Sequence, residues 1–191
     1  MVYKQHFIEW FSGKSIPSYW TQTNVTGSGA SFEMKDDSSQ GGGGFKITPT
    51  SSSNIGEIDF NNKRQFSQTS SMFIATARRN ANPAMFSMGL TGNITNADTN
   101  RILVQNDSAG SKFKLGSYDG SSGGALTSTT IDVDGNWRNH KLELTSSSVT
   151  LTVNSVLHAT RDENLPASTL QPYFLSKGGE NGIRYMECYN T

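Results

Sequence analysis

Glu57 and Asp59, two carboxylates in "GEIDFNN" (56–62), are the residues whose types and spacing could do covalent chemistry. Side chains alternate between faces on an extended chain, so positions two apart project to the same side. Two carboxyls on one face are the raw material of glycoside cleavage: one holds a proton for the leaving oxygen while the other stays ionised. Asn62, three positions beyond Asp59, is an amide and cannot exchange a catalytic proton. A Glu-x-Asp match also arises often by chance. The bland reading therefore makes the pair solvated strand residues, within pairing reach of Lys63 or Arg64.

The other chemical candidates are weaker. His6, His140 and His158 are scattered and share no metal-ligand spacing. A single cysteine, Cys188, excludes an internal disulfide framework and a cysteine zinc site, and it reads as a small buried hydrophobe. No serine sits in a Gly-x-Ser-x-Gly elbow, and "GGGG" (41–44) lacks the Lys-Ser/Thr of a phosphate loop. "DVDGN" (132–136) has the Asp-x-Asp-Gly look of a calcium loop without the closing Glu, and Asp-Gly before a strand is first a turn signal. "NADTN" (96–100) is a similar oxygen-rich loop. No metal site and no cofactor is assigned.

The elements that must position these groups are strands. Of 191 residues only 34% are apolar and 17% charged, with 19 Gly and many Ser, Thr and Asn, which favours short strands joined by small polar turns. Period-2 segments recur at 31–35, 44–48, 70–78, 101–106, 112–118, 140–146 and 148–154. Leu142 and Leu144, then Val149, Leu151 and Val153, alternate with polar residues around a turn at 146–148, which predicts a β-hairpin. A second tight turn is expected at Asn154–Ser155. The last segment, "GIRYMECYNT", places Ile183, Tyr185 and Tyr189 on one face and Arg184, Met186 and Cys188 on the other. A short helical turn is possible only around 162–168. About twelve to fourteen strands in a two-sheet antiparallel sandwich, one domain over 1–191, is the resulting expectation.

Lys4, His6 and Glu9 break any signal-peptide apolar run, and no stretch of about 18 apolar residues could span a bilayer, so no membrane insertion is expected. Formal charge is zero, from 16 Lys+Arg and 16 Asp+Glu, which argues against nucleic acid as a partner.

Three features together resemble the concanavalin A-like lectin and glucanase superfamily, in its laminin-G-like branch. They are the opening "FIEWFSGKSIPSYWTQT", the segment "DVDGNWRNHKLELTSSSVTLTVNSVLHAT", and the terminal strand. The resemblance implies a jelly-roll sandwich whose last strand returns beside the first, of the kind common in virion and phage-tail proteins. Laminarinase-type members carry Glu-x-Asp-x-x-Glu: nucleophile, assisting Asp, then acid/base. Glu57 and Asp59 match the first two positions, and Asn62 stands at the third.

On that departure the expected function is non-catalytic: a virion-surface or adhesion module binding host glycans through neutral hydrogen bonds and aromatic stacking. The expected ligand contacts are Tyr118, Asp119, Arg78 and Asn80, polar or aromatic at loop edges, with Trp20 as a turn-flanked stacking residue. Trp10 and Trp137 are expected in the core. The alternatives are a structural capsid decoration or fibre protein packed against other virion proteins, as a homo-oligomer, and a laminarinase-like hydrolase disfavoured by Asn62.

Overall fold

The computed structural model describes residues 5–12, 15–27, 29–35, 44–60, 65–79, 85–92, 100–106, 111–120 and 124–191. Their strands are β1 (His6–Trp10), β2 (Thr21–Thr26), β3 (Ser31–Lys35), β4 (Gly44–Thr48), β5 (Ile55–Asp59), β6 (Ser71–Arg79), β7 (Met85–Thr91) and β8 (Arg101–Gln105). They continue as β9 (Lys112–Tyr118), β10 (Ala125–Asp132), β11 (Arg138–Leu144), β12 (Val149–Val153), β13 (Val156–Arg161), β14 (Gln171–Lys177) and β15 (Asn181–Asn190). The eight-stranded sheet runs β13-β12-β11-β6-β15-β4-β3, with β1 also on β15; the seven-stranded sheet runs β10-β9-β8-β7-β14-β5-β2. Every strand pairing is antiparallel. The fold is the concanavalin A-like jelly roll, and the last strand does return beside the first.

One apolar core lies between the sheets. Phe45 and Phe73 from the larger sheet meet Phe86, Phe113 and Phe174 from the smaller, all fully buried. Each such side chain removed from water stabilises the sandwich by about 1.5–3 kcal/mol. The alternation that fixes β12 as a strand is visible in its burial, with Val149, Leu151 and Val153 inward and Thr150 and Thr152 facing out. His140, also inward, lies edge-on to Phe113 at 5.1 Å between ring centroids, and burial pushes its pKa down to about 4.

The hairpin forms where expected, but β11 spans Arg138–Leu144 rather than 140–146. Thr145 ends it: its hydroxyl accepts hydrogen bonds from the backbone N–H groups of Ser147 (3.3 Å) and Ser148 (3.0 Å), an alternative to the ladder. The face assignment of the last strand needs correction. A register shift between Ile183 and Tyr185 turns Ile183 inward with Met186 and Cys188, and leaves Tyr185, Glu187 and Tyr189 facing out. No helical turn forms at 162–168, where the chain is a bend leading into β14.

The tryptophans also depart from expectation. Trp20 is a core residue, 4.5 Å from Phe60 between ring centroids, and Trp10 is 67% exposed. Trp137 is half-buried beneath the guanidinium groups of Arg184 (3.9 Å) and Arg78 (4.9 Å).

The β12–β13 turn holds Asn154 at φ 49° and Ser155 at φ 69°. Both lie in the left-handed region, as a two-residue type I′ hairpin turn requires. Asn154 also accepts a hydrogen bond from the Asn139 N–H (3.0 Å), whereas no side-chain bond of Ser155 compensates its conformation among the described contacts. Ser155→Gly is expected to raise stability by about 0.5–1 kcal/mol. A thermal melt checks this, and an unchanged or lower Tm contradicts it.

Candidate functional site

The face of β5 carrying the two carboxylates follows from its inward residues. Ile58 and Phe60 enter the core, so Glu57 and Asp59 project from the outer face of the seven-stranded sheet. Register then builds the neighbourhood. Asp59 stands opposite Tyr173 and Glu57 opposite Leu175 on β14. Tyr173 stands opposite Gly89 on β7, Gly89 opposite Leu103 on β8, and Arg101 on β8 opposite Tyr118 on β9. Five residues from four strands thus converge on one face: Glu57, Asp59, Tyr173, Arg101 and Tyr118.

This outer face is not wet. Glu57 is 6% exposed and Asp59 fully buried, so they are not the solvated strand residues expected from sequence. Leu103, Tyr118 and Tyr173 form an apolar cluster of their own, separate from the main core and flanked by Leu175. The Arg101 guanidinium lies 4.1 Å from the centre of the Tyr118 ring. The ring in turn lies directly on Gly124, where an added Cβ would sit 1.9 Å from a ring carbon, so the loop can approach only with glycine there. The Tyr173 hydroxyl and Ser87 Oγ are 2.6 Å apart.

Burial and charge act together on these groups. Desolvation pushes the Glu57 pKa up to about 8; the neighbouring Asp59 charge pushes the same way, and Arg101 partly opposes it. Glu57 therefore holds its proton at neutral pH. Tyr173 is pushed up to about 12, chiefly by burial, against the pull of Arg101 and Ser87. A carboxyl that stays protonated beside a second carboxylate is the division that acid–base chemistry uses.

Of the residues expected from sequence, Tyr118 lies in this cluster, and Asp119 follows it, half-buried, just past the end of β9. Arg78 lies on β6 in the other sheet against Trp137, Trp20 is in the core, and Asn80 falls outside the described residues, as do Asn62, Lys63 and Arg64. The expected contacts therefore do not form one surface. Sequence reasoning missed Arg101, Tyr173 and Ser87. Their outward alternation on β8, β14 and β7 was a legible signal, but the pairing of β14 between β7 and β5 was not.

The "DVDGN" oxygens are engaged within the chain: Asp134 accepts from Arg138 Nη2 (2.8 Å) and Asn136 Nδ2 (2.7 Å), and Asp132 pairs with Lys112 Nζ at 2.6 Å. Among the described residues no three His, Cys, Asp or Glu side chains gather as a metal site, and no helix is long and apolar enough to cross a membrane.

No family model and no curated protein matches this sequence. Solved structures do match, at the level of fold. A Bacillus licheniformis β-glucanase has a TM-score of 0.69 at 12% identity, covering 97% of this chain and 98% of its own. A Bacteroides ovatus GH16 protein of a mixed-linkage glucan locus, solved with an oligosaccharide product, has a TM-score of 0.70 at 12% identity, over 94% and 98%. The carbohydrate recognition domain of Emp47p has a TM-score of 0.65 at 11% identity, over 97% and 94%. The non-catalytic expectation is corrected here. Glycosidases predominate among these structural neighbours, and the carboxylate pair dismissed as solvated is buried, with Glu57 protonated.

The Glu57 shift fixes the direction of a pH effect. Its carboxyl ionises near 4.5 when unfolded and near 8 when folded, so between these values the folded state keeps a proton that the unfolded chain releases. Stability from this group therefore falls as pH rises across that window, by up to about 1.4 kcal/mol per pH unit. Glu57→Gln removes the dependence, while that of His140 is common to both proteins and cancels. The Tm of the variant relative to wild type should climb from pH 5 to pH 8.5; a constant difference contradicts the shift.

Proposed function

We propose that this chain acts on a glycan at the outer face of its seven-stranded sheet, with Glu57 and Asp59 as the working pair for glycosidic-bond chemistry. The observation that carries this reading is the burial of Glu57 and Asp59 two residues apart on one outer face, a setting that pushes the Glu57 pKa up to about 8. The pattern ends on Asn62, so the proton must come from the pair itself. Glu57 is the group that holds one at neutral pH, and it donates to the leaving oxygen. Asp59, fully buried behind it, keeps that proton in place by raising the Glu57 pKa, and water, returning a proton to Glu57, takes the place of the leaving group on the sugar carbon. Arg101 and the two tyrosines orient hydroxyls and supply ring faces for stacking. The structural neighbours that are glucanases or carbohydrate recognition domains support the choice of glycan as ligand class. A virion-surface setting, adhesive or structural, stands on the sequence resemblance alone and adds nothing to this chemistry.

The test is turnover and binding on one sample. Mixed-linkage β-glucan and β-1,3-glucan oligosaccharides are incubated with the protein, and new reducing ends or transfer products are counted. Activity is expected, falling at least about a hundredfold in Glu57→Gln and in Asp59→Asn, since positioned proton transfer contributes about 10²–10⁴. Loss of activity as pH rises through about 8 is expected from the Glu57 proton. Binding without turnover leaves glycan recognition and removes the catalytic assignment; neither binding nor turnover removes both.

A further inference from the structure

A second patch lies on the outer face of the other sheet. β1 points His6, Ile8 and Trp10 outward, with Phe7 and Glu9 inward, and β15 sets Tyr189, Glu187 and Tyr185 directly opposite the outward three. Trp10 is 67% and Ile8 47% exposed. The Trp10 ring lies 4.5 Å from that of Tyr185, and His6 lies edge-on to Tyr189 at 5.5 Å. Between these pairs Glu187 is already oriented: it accepts from the Tyr185 hydroxyl at 2.5 Å and meets His6 Nε2 at 2.8 Å. Beside it opens a depression of about 390 Å³, lined by His6, Glu187, Tyr189, Asn190 and Thr191.

We infer that this patch is a separate binding site for a neutral polysaccharide chain, distinct from the Glu57 face and on the opposite sheet. Three observations select that class of ligand. First, the exposed indole packs on Tyr185, whose hydroxyl bonds Glu187, so an apolar ring face stands at the end of a polar row that runs through Glu187 and His6 into the depression, and a sugar ring offers one apolar face rimmed by hydroxyls. Second, among the described residues the lining mixes one acid with one imidazole and no cluster of cations, which suits neither phosphate nor nucleic acid. Third, the depression beside Glu187 has the volume of a small-ligand cleft. The rings and Glu187 stand on paired strands rather than on loops, so the site is rigid before the ligand arrives.

The experiment measures retardation of the full chain in native gels containing mixed-linkage β-glucan, xylan, galactomannan or soluble α-glucan, with oligomeric mass recorded in parallel. The wild-type protein is expected to be retarded by at least one of them. Trp10→Ala should weaken that binding about tenfold, the upper range for one aromatic contact. Trp10→Phe should retain most of it, and the tenfold loss on Trp10→Ala should recur in a Glu57→Gln background, where the first face does not turn the glucan over. Because Trp10 is exposed, the Tm of its variants should match wild type. Retardation unaffected by Trp10→Ala in either background overturns the second site while leaving the first intact. A change in oligomeric mass on Trp10→Ala marks a seat for another copy of this chain and also overturns it, as does a wild-type protein retarded by none of the four.

Discussion

Two carboxyl groups removed from water on adjacent outward positions of one strand cannot both carry charge without a large penalty. That constraint governs the seven-stranded sheet. Asp59 is fully buried and Glu57 nearly so, and the pair settles by keeping a proton on Glu57. The arrangement persists because the surrounding sheet is over-determined. Ile58 and Phe60 anchor β5 in the core from the other side, and β2 and β14 clamp it on both edges. Arg101 supplies the compensating positive charge from three strands away, its guanidinium over the Tyr118 ring.

The two sheets divide the labour of the molecule. Their inner faces meet in an aromatic-rich core, which is what makes each outer face a stable platform. The seven-stranded sheet uses its outer face for a dry cluster of titratable and aromatic groups. The eight-stranded sheet uses its own, along β1 and β15, for an exposed aromatic ladder around Glu187. A jelly roll separates these platforms by the thickness of the core, so each can be altered without disturbing the other.

The sequence made the fold legible wherever alternation was clean. The β11–β12 hairpin, the Asn154–Ser155 turn and the pairing of the first and last strands all follow from period, turn chemistry and resemblance. It misled at β15, where one extra residue between Ile183 and Tyr185 exchanged the faces, because a bulge leaves no mark in a simple alternation. The site was half legible. Glu57 and Asp59 were found from spacing and Tyr118 from its position at a strand end, but the pair was set in solvent. Burial of an outward face depends on what strands far apart in sequence bring to it, and Arg101, Tyr173 and Leu103 arrive only through the non-sequential order β8-β7-β14-β5. Trp10 and Trp20 exchanged roles for a related reason: β1 alternation turns Trp10 outward, while Trp20, despite its turn, closes over Phe7 and Phe60.

Carboxyl-carbon NMR of the folded protein through a pH titration reads the charge state of Glu57 directly. Its resonance is expected to move with a midpoint near pH 8, dropping toward the ordinary glutamate range when Asp59→Asn and a more open Tyr118→Ala are combined. A Glu57 carboxyl that titrates near 4.5 in the intact protein would contradict it, and the proton-donor role would fall with it.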